Sequence, residues 1–167
     1  MKPKTVGRVS DGETPATRTS ISHVGLVAGA IVLTADGEIP VEYLSPGDRI
    51  ITRNAGMVKL TSVETVRMTA EAVKIAAGSL GHTRPQHNVM MPASQMVLVR
   101  DWRAKALRGA AQAVMPAGCL IDDEYITSLG PREMTLVKLG FDAPYVIYAD
   151  GLELSVPAMA AKAVRAA

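Results

Sequence analysis

The sequence predicts an all-β domain of about ten short strands, and three observations carry that expectation. β-Branched and apolar runs recur at spacings of eight to fifteen residues along the 167-residue chain. Gly, Pro, Asp and Asn separate them in tight-turn combinations, as in sandwiches and small barrels. The chain is 48% hydrophobic and 20% charged, enough for one buried core, and its few aromatic residues leave that core to aliphatic side chains and methionine.

Residues 1–24 (MKPKTVGRVSDGETPATRTSISHV) are rich in Ser, Thr, Pro and charge and have no apolar period, so they read as a flexible arm. The texture changes at Gly25. Ala30–Thr34 is β-branched and apolar, and Asp36-Gly37 supplies a turn. Ile39–Leu44 follows as a second extended run, then Ser45-Pro46-Gly47-Asp48. Pro46 presets its own φ there, and Gly47 takes the positive φ of a type II turn. Arg49–Arg53 resumes a strand that Asn54-Ala55-Gly56 breaks. Val58–Met68 alternates apolar and polar residues, and Ala72–Ala77 reads as strand or helical turn. Gly78–Asn88 is a polar loop. Val89–Met91 and Met96–Val99 bracket Pro92–Gln95, with Met90, Met91 and Met96 expected to fill the core. Arg100–Ala113 has helix-forming composition without evident caps. Tyr125–Leu129, a Gly130-Pro131 turn, Met134–Leu139 and Tyr145–Ala149 complete the strands. Residues 158–167 (AMAAKAVRAA) are alanine-rich, a tail with the length of a marginal helix. The expected organisation is therefore an arm at 1–24, a domain at 25–157 and a tail at 158–167.

Charge and cysteine usage narrow the function classes. The formal net charge is +2, but the excess sits at the ends: Lys2, Lys4, Arg8 and Arg18 in the arm, Lys162 and Arg165 in the tail. Between residues 25 and 157 acids outnumber bases, fourteen to twelve. Solvated ends explain this better than a phosphate-binding surface does, so nucleic acid is not the expected partner, and the partner expected is an unidentified protein. A nucleic-acid or membrane-surface binder working through both basic ends is a minor reading. No run approaches the roughly eighteen consecutive apolar residues of a membrane helix. The opening lacks a signal peptide's apolar stretch and cleavage site, which points to the cytoplasm. A single cysteine, Cys119, excludes an internal disulfide and a cysteine-based zinc cluster. Its small and apolar neighbours suggest a buried, inert thiol.

Three segments in order carry a family resemblance. Residues 25–53 (GLVAGAIVLTADGEIPVEYLSPGDRIITR) resemble C-F-x-x-G-T-x-I-x-T-x-x-G-x-x-x-V-E-x-L-x-x-G-D-x-V-x-T, the first motif of the Hint (Hedgehog/intein) domain in its compact alphaproteobacterial form. Residues 89–104 (VMMPASQMVLVRDWRA) resemble that family's S-P-x-H-x-V-L-x-R-x-W-R-A. Residues 137–154 (VKLGFDAPYVIYADGLEL) resemble its terminal L-x-F-D-x-H-x-x-x-x-A-x-G-L. The resemblance implies a Hint-like, disc-shaped all-β fold with pseudo-twofold halves. It also implies an autoprocessing chemistry. An N-terminal Cys or Ser attacks the preceding carbonyl, and a histidine of the second motif protonates the scissile amide so that nitrogen can leave.

This sequence departs from that chemistry at each matched position. Gly25 stands at the nucleophile, Gln95 at the histidine and Pro144 at a position often occupied by His. Glycine has nothing to attack with, an amide transfers no proton near neutrality, and proline lacks even a backbone donor. The expectation is a Hint fold without Hint catalysis: no catalytic residue, no metal and no cofactor. The rival reading is an autoprocessing enzyme that uses Ser22, beside His23, as a displaced nucleophile, or His87 as the catalytic histidine, in place of the family's groups. His87 and His82 otherwise read as exposed loop histidines too few for a metal site. Asp122-Asp123-Glu124 reads as a solvated turn, and Asp101 and Arg103 as weak surface pairs.

Overall fold

A computed structural model describes residues 25–81 and 84–158. Among these described residues, twelve strands and one α-helix follow one another. They are β1 (Leu26–Val27), β2 (Ile31–Thr34), β3 (Gly37–Pro40), β4 (Arg49–Thr52), β5 (Gly56–Lys59), β6 (Ser62–Ile75), β7 (Val89–Pro92), β8 (Met96–Val99), α1 (Trp102–Arg108), β9 (Ala113–Pro116), β10 (Ile126–Gly140), β11 (Tyr145–Ala149) and β12 (Leu152–Val156). Single 3-10 turns cover Val41–Tyr43 and Ala117–Leu120. The chain is thus all-β, as its sequence predicts, with two long strands among the short ones.

The first motif is turn chemistry. Gly47 has φ 100°, and the Asp48 amide donates to the Ser45 carbonyl, closing the expected turn around Pro46-Gly47. The Asp48 carboxylate accepts in return from the Ser45 amide at 2.8 Å. Glu42 accepts from the amide of Gly29, itself at φ 100°. Thr34 and Thr52 each accept one loop amide and donate to the carbonyl that follows, Gly37 and Gly56 respectively. The Ile39–Leu44 run is shorter than its composition suggests, because Pro40 ends β3 and a 3-10 turn begins.

The strands form two sheets. The four-stranded sheet has the order β1-β10-β6-β7, and the larger one the order β3-β2-β4-β11-β12-β8-β9, with β5 on β4. All pairings are antiparallel. β6 and β10 pair from Ile126↔Ile75 to Gly140↔Ser62. Two sequence readings are corrected here. Ala72–Ile75 completes β6, and Gly130-Pro131 is no turn between strands but an irregularity within β10, where the register shifts between Ser128 and Gly130. Gly130 at φ 73° absorbs it.

The main core is aliphatic, with Val32, Ile50, Ile75, Val97, Met115, Ile126, Val137 and Ile147 fully enclosed. Phe141 is the one buried aromatic ring among the described residues, and Tyr145 packs edge-on against it at 5.4 Å. Met91 joins this core, while Met90 and Met96 remain partly exposed. Helix α1 does have caps. The Asp101 carboxylate accepts from the Arg103 amide at 2.9 Å, and Gly109 ends the helix at φ 72°.

Candidate functional site

A cleft opens where β1, the loop before β7, the β7–β8 turn and the β11–β12 hairpin meet. Its wider part, about 210 Å³, is lined by Val27 to Ala30, His87 to Met90, and Asp150. A narrow recess of about 10 Å³ continues inward between Leu26, Met91, Leu154 and Gln95, sharing Val27, Ala30, Met90 and Asp150. Of the matched catalytic positions, Gln95 lines this recess, and Gly25 directly precedes β1, whose Leu26 and Val27 line it.

Gly25 is buried at the start of β1. A Cβ there would lie 3.2 Å from Leu136 Cβ and 3.4 Å from both Lys138 Cγ and the Val137 carbonyl, so a side chain enters only if β10 yields slightly. Gln95 is 2% exposed. Its Nε2 donates to the carbonyls of Met96 at 3.0 Å and Ser155 at 3.4 Å. That fixes the amide's orientation, since a flipped group would set oxygen against oxygen. Its Oε1 is buried with no hydrogen-bond partner among the described residues. Backbone bonds from Gln95 N to Pro92 O and from Ala117 N to Gln95 O hold the turn. Pro144 lies exposed before β11, and its neighbour Asp142 accepts the Tyr145 hydroxyl at 2.9 Å.

His87 is an exposed loop residue, as the sequence suggests, but it is not isolated. Its Nε2 lies 3.7 Å from Asp150 Oδ1 on the cleft rim. Asp150 and Gly151, at φ 54° and 79°, are the two central residues of the β11–β12 hairpin. The Asp150 carboxylate accepts from the Ile31 amide at 3.1 Å. Burial pushes its carboxyl above the ordinary range, against that hydrogen bond and His87. Sequence reasoning missed Asp150, although Asp-Gly between two strands is a strong hairpin signal that marks it. Ser22, His23 and His82 lie outside the described residues.

Two further expectations are corrected. Cys119 is exposed, because its 3-10 turn directs Ala117 and Leu120 inward and leaves the thiol outside. Arg103 is buried at 6% exposure and does more than form a surface pair. It ties Asp101 at 2.6 Å to Asp122 at 3.7 Å. The 122–124 turn is solvated but built: Asp122 Oδ1 accepts the amides of Glu124, Tyr125 and Ile126, and those bonds hold its carboxyl below the ordinary range. Among the described residues no three His, Cys, Asp or Glu side chains group to hold a metal, and no helix is long and apolar enough to cross a membrane.

Two antiparallel sheets, one built on the long β6–β10 pair, with a cleft beside the first strand, define a class of compact all-β domains. The chain belongs to the Hint domain family, whose model matches residues 24–155. Among solved structures, it resembles a bacterial intein-like domain from Clostridium thermocellum at 16% identity and TM-score 0.52, covering 80% of this chain and 97% of that one. A DnaB intein from Synechocystis matches at 13% identity and TM-score 0.52, over 81% of this chain and 99% of the intein. The gp41-1 intein matches at 14% identity and TM-score 0.50, over 78% and 96%. At these identities the likeness is one of fold. No curated protein matches the chain.

Proposed function

We propose that this Hint domain is catalytically inactive and serves as a structural or protein-interaction module. The observation that carries the reading is Gln95. Where the family resemblance calls for a proton-transferring histidine, a sealed amide spends both donors on backbone carbonyls. Gly25, with no side chain and β10 against it, supports the same reading. Acyl transfer out of an amide needs an attacking atom and a proton donor together, and neither matched position supplies one. The fold itself carries no argument about activity. The partner proposed is another protein, in the cytoplasm, with no cofactor. The test is the intact mass of the purified full-length chain after incubation with thiol or hydroxylamine. An unchanged mass is expected, and time-dependent cleavage at Val24–Gly25 overturns the reading.

The second reading, autoprocessing through Ser22, draws on the His87–Asp150 pair at the cleft rim. A carboxylate beside an imidazole is how a general base is oriented and its charged form stabilised. That reading requires the same mass experiment to show a product, and Ser22→Ala and His87→Ala each to abolish it.

A further inference from the structure

The Glu153 side chain in β12 is 1% exposed, and three arginines converge on it. Arg53 Nη1 reaches Oε2 at 2.8 Å, while Arg84 Nη1 and Arg100 Nε share Oε1 at 3.2 and 2.8 Å. Burial pushes the Glu153 carboxyl up, but the hydrogen bonds from Arg100 and Arg84 outweigh it and hold the group below its ordinary range, so it is ionised at neutral pH. One carboxylate therefore faces three cations, a local surplus of two positive charges. The other arginine ion pairs carry no cationic surplus. Arg67 has Glu133, and Arg103 has both Asp101 and Asp122.

Among the described residues the surplus comes with donors that take no protein partner. A guanidinium carries five N–H groups. Among the described residues Glu153 is the only side-chain or carbonyl partner of these three guanidiniums, taking one nitrogen of each. The side chains are 29–35% exposed, so the remaining donors border solvent. They also come from separate points of the fold. Arg53 follows β4 with its amide bonded to Val146 O, Arg100 follows β8, and the Arg84 amide is bonded to Gly81 O. Ordering three long side chains is the usual cost of an arginine site, and here Glu153 has already met it.

We propose that Arg53, Arg84 and Arg100, organised by buried Glu153, form a binding site for a phosphate dianion. The charge of the ligand equals the surplus, guanidinium forks match phosphate oxygens in pairs, and a second anion relieves the repulsion between cations that share Oε1. The site is separate from the catalytic positions of the cleft, so it stands whether or not the domain is inert.

The experiment is calorimetric titration of the full-length chain with inorganic phosphate, with thermal unfolding in phosphate and in chloride at equal ionic strength. Saturable binding is expected, with a midpoint rise that chloride does not reproduce. Arg53→Gln and Arg100→Gln each weaken affinity about tenfold, and Arg100→Lys, which keeps the charge but loses the fork, weakens it too. Arg67→Gln leaves it unchanged. Competition by O-phosphoserine supports the site for esterified phosphate, and binding without competition supports it for the free ion. No saturable binding, or wild-type affinity in the Arg53 and Arg100 variants, overturns the proposal.

Discussion

Asp150 holds a carboxylate where an amide would serve. Its φ of 54° is one that asparagine adopts readily, and its hydrogen bond with the Ile31 amide needs only an acceptor oxygen. Burial raises its carboxyl, so the folded state binds the proton more tightly than the unfolded chain does. Its contribution to stability is therefore greatest at acid pH. It falls as pH climbs from the ordinary carboxylate range through the raised folded value, and stays reduced above that. Asp150→Asn removes this dependence and sacrifices only a pairing with the exposed His87. The variant is expected to unfold in urea at an equal or higher midpoint at pH 7 and to lose any advantage near pH 3. A clear fall in its midpoint at pH 7 would mean that the ion pair outweighs the desolvation of the carboxylate.

Helix α1 shows how one residue type serves an element. It has only seven residues, too few to persist on intrinsic preference. Asp101 stabilises it twice, by capping the Arg103 amide and by holding the Arg103 guanidinium against the helix start. That guanidinium also lies 4.9 Å from the centre of the Trp102 ring. Asp101→Ala is expected to cost about 1–2 kcal/mol, read from chemical unfolding with the single tryptophan as probe. Asp101→Asn, which keeps the cap and weakens the ion pair, should recover part of that loss. Short strands with turns were legible from composition because turn residues act locally. The continuity of β10 was not, since a glycine within a strand and a glycine ending one read alike until a partner strand is present, and the Ala72–Ile75 end of β6 suits a helical turn as well as a strand.

At the scale of the molecule, the buried apolar residues among those described run from Leu26 to Val156. A fragment of residues 25–157 is expected to unfold in one transition with a midpoint within about 2 °C of the full chain, a shift of well under 1 kcal/mol for a domain of this size. A larger fall in scanning calorimetry would assign the ends a packing role. Charge behaves differently at this scale. Acids outnumber bases over the body of the chain, yet three of those bases meet at Glu153. Counting along the sequence averages away such a cluster, because its members lie tens of residues apart.

By itself the sequence determined the all-β class, the Pro46-Gly47 turn, an aliphatic core and the identities of Gly25 and Gln95 at the motif positions. Each of these rests on local sterics, on alternation along a strand, or on which atoms a side chain possesses. Only the tertiary structure decided that Gln95 is sealed with its donors spent, that His87 faces Asp150, that Cys119 is exposed and that three arginines share one carboxylate. Those outcomes depend on which distant segments the two sheets bring together, and on the water that burial removes between them.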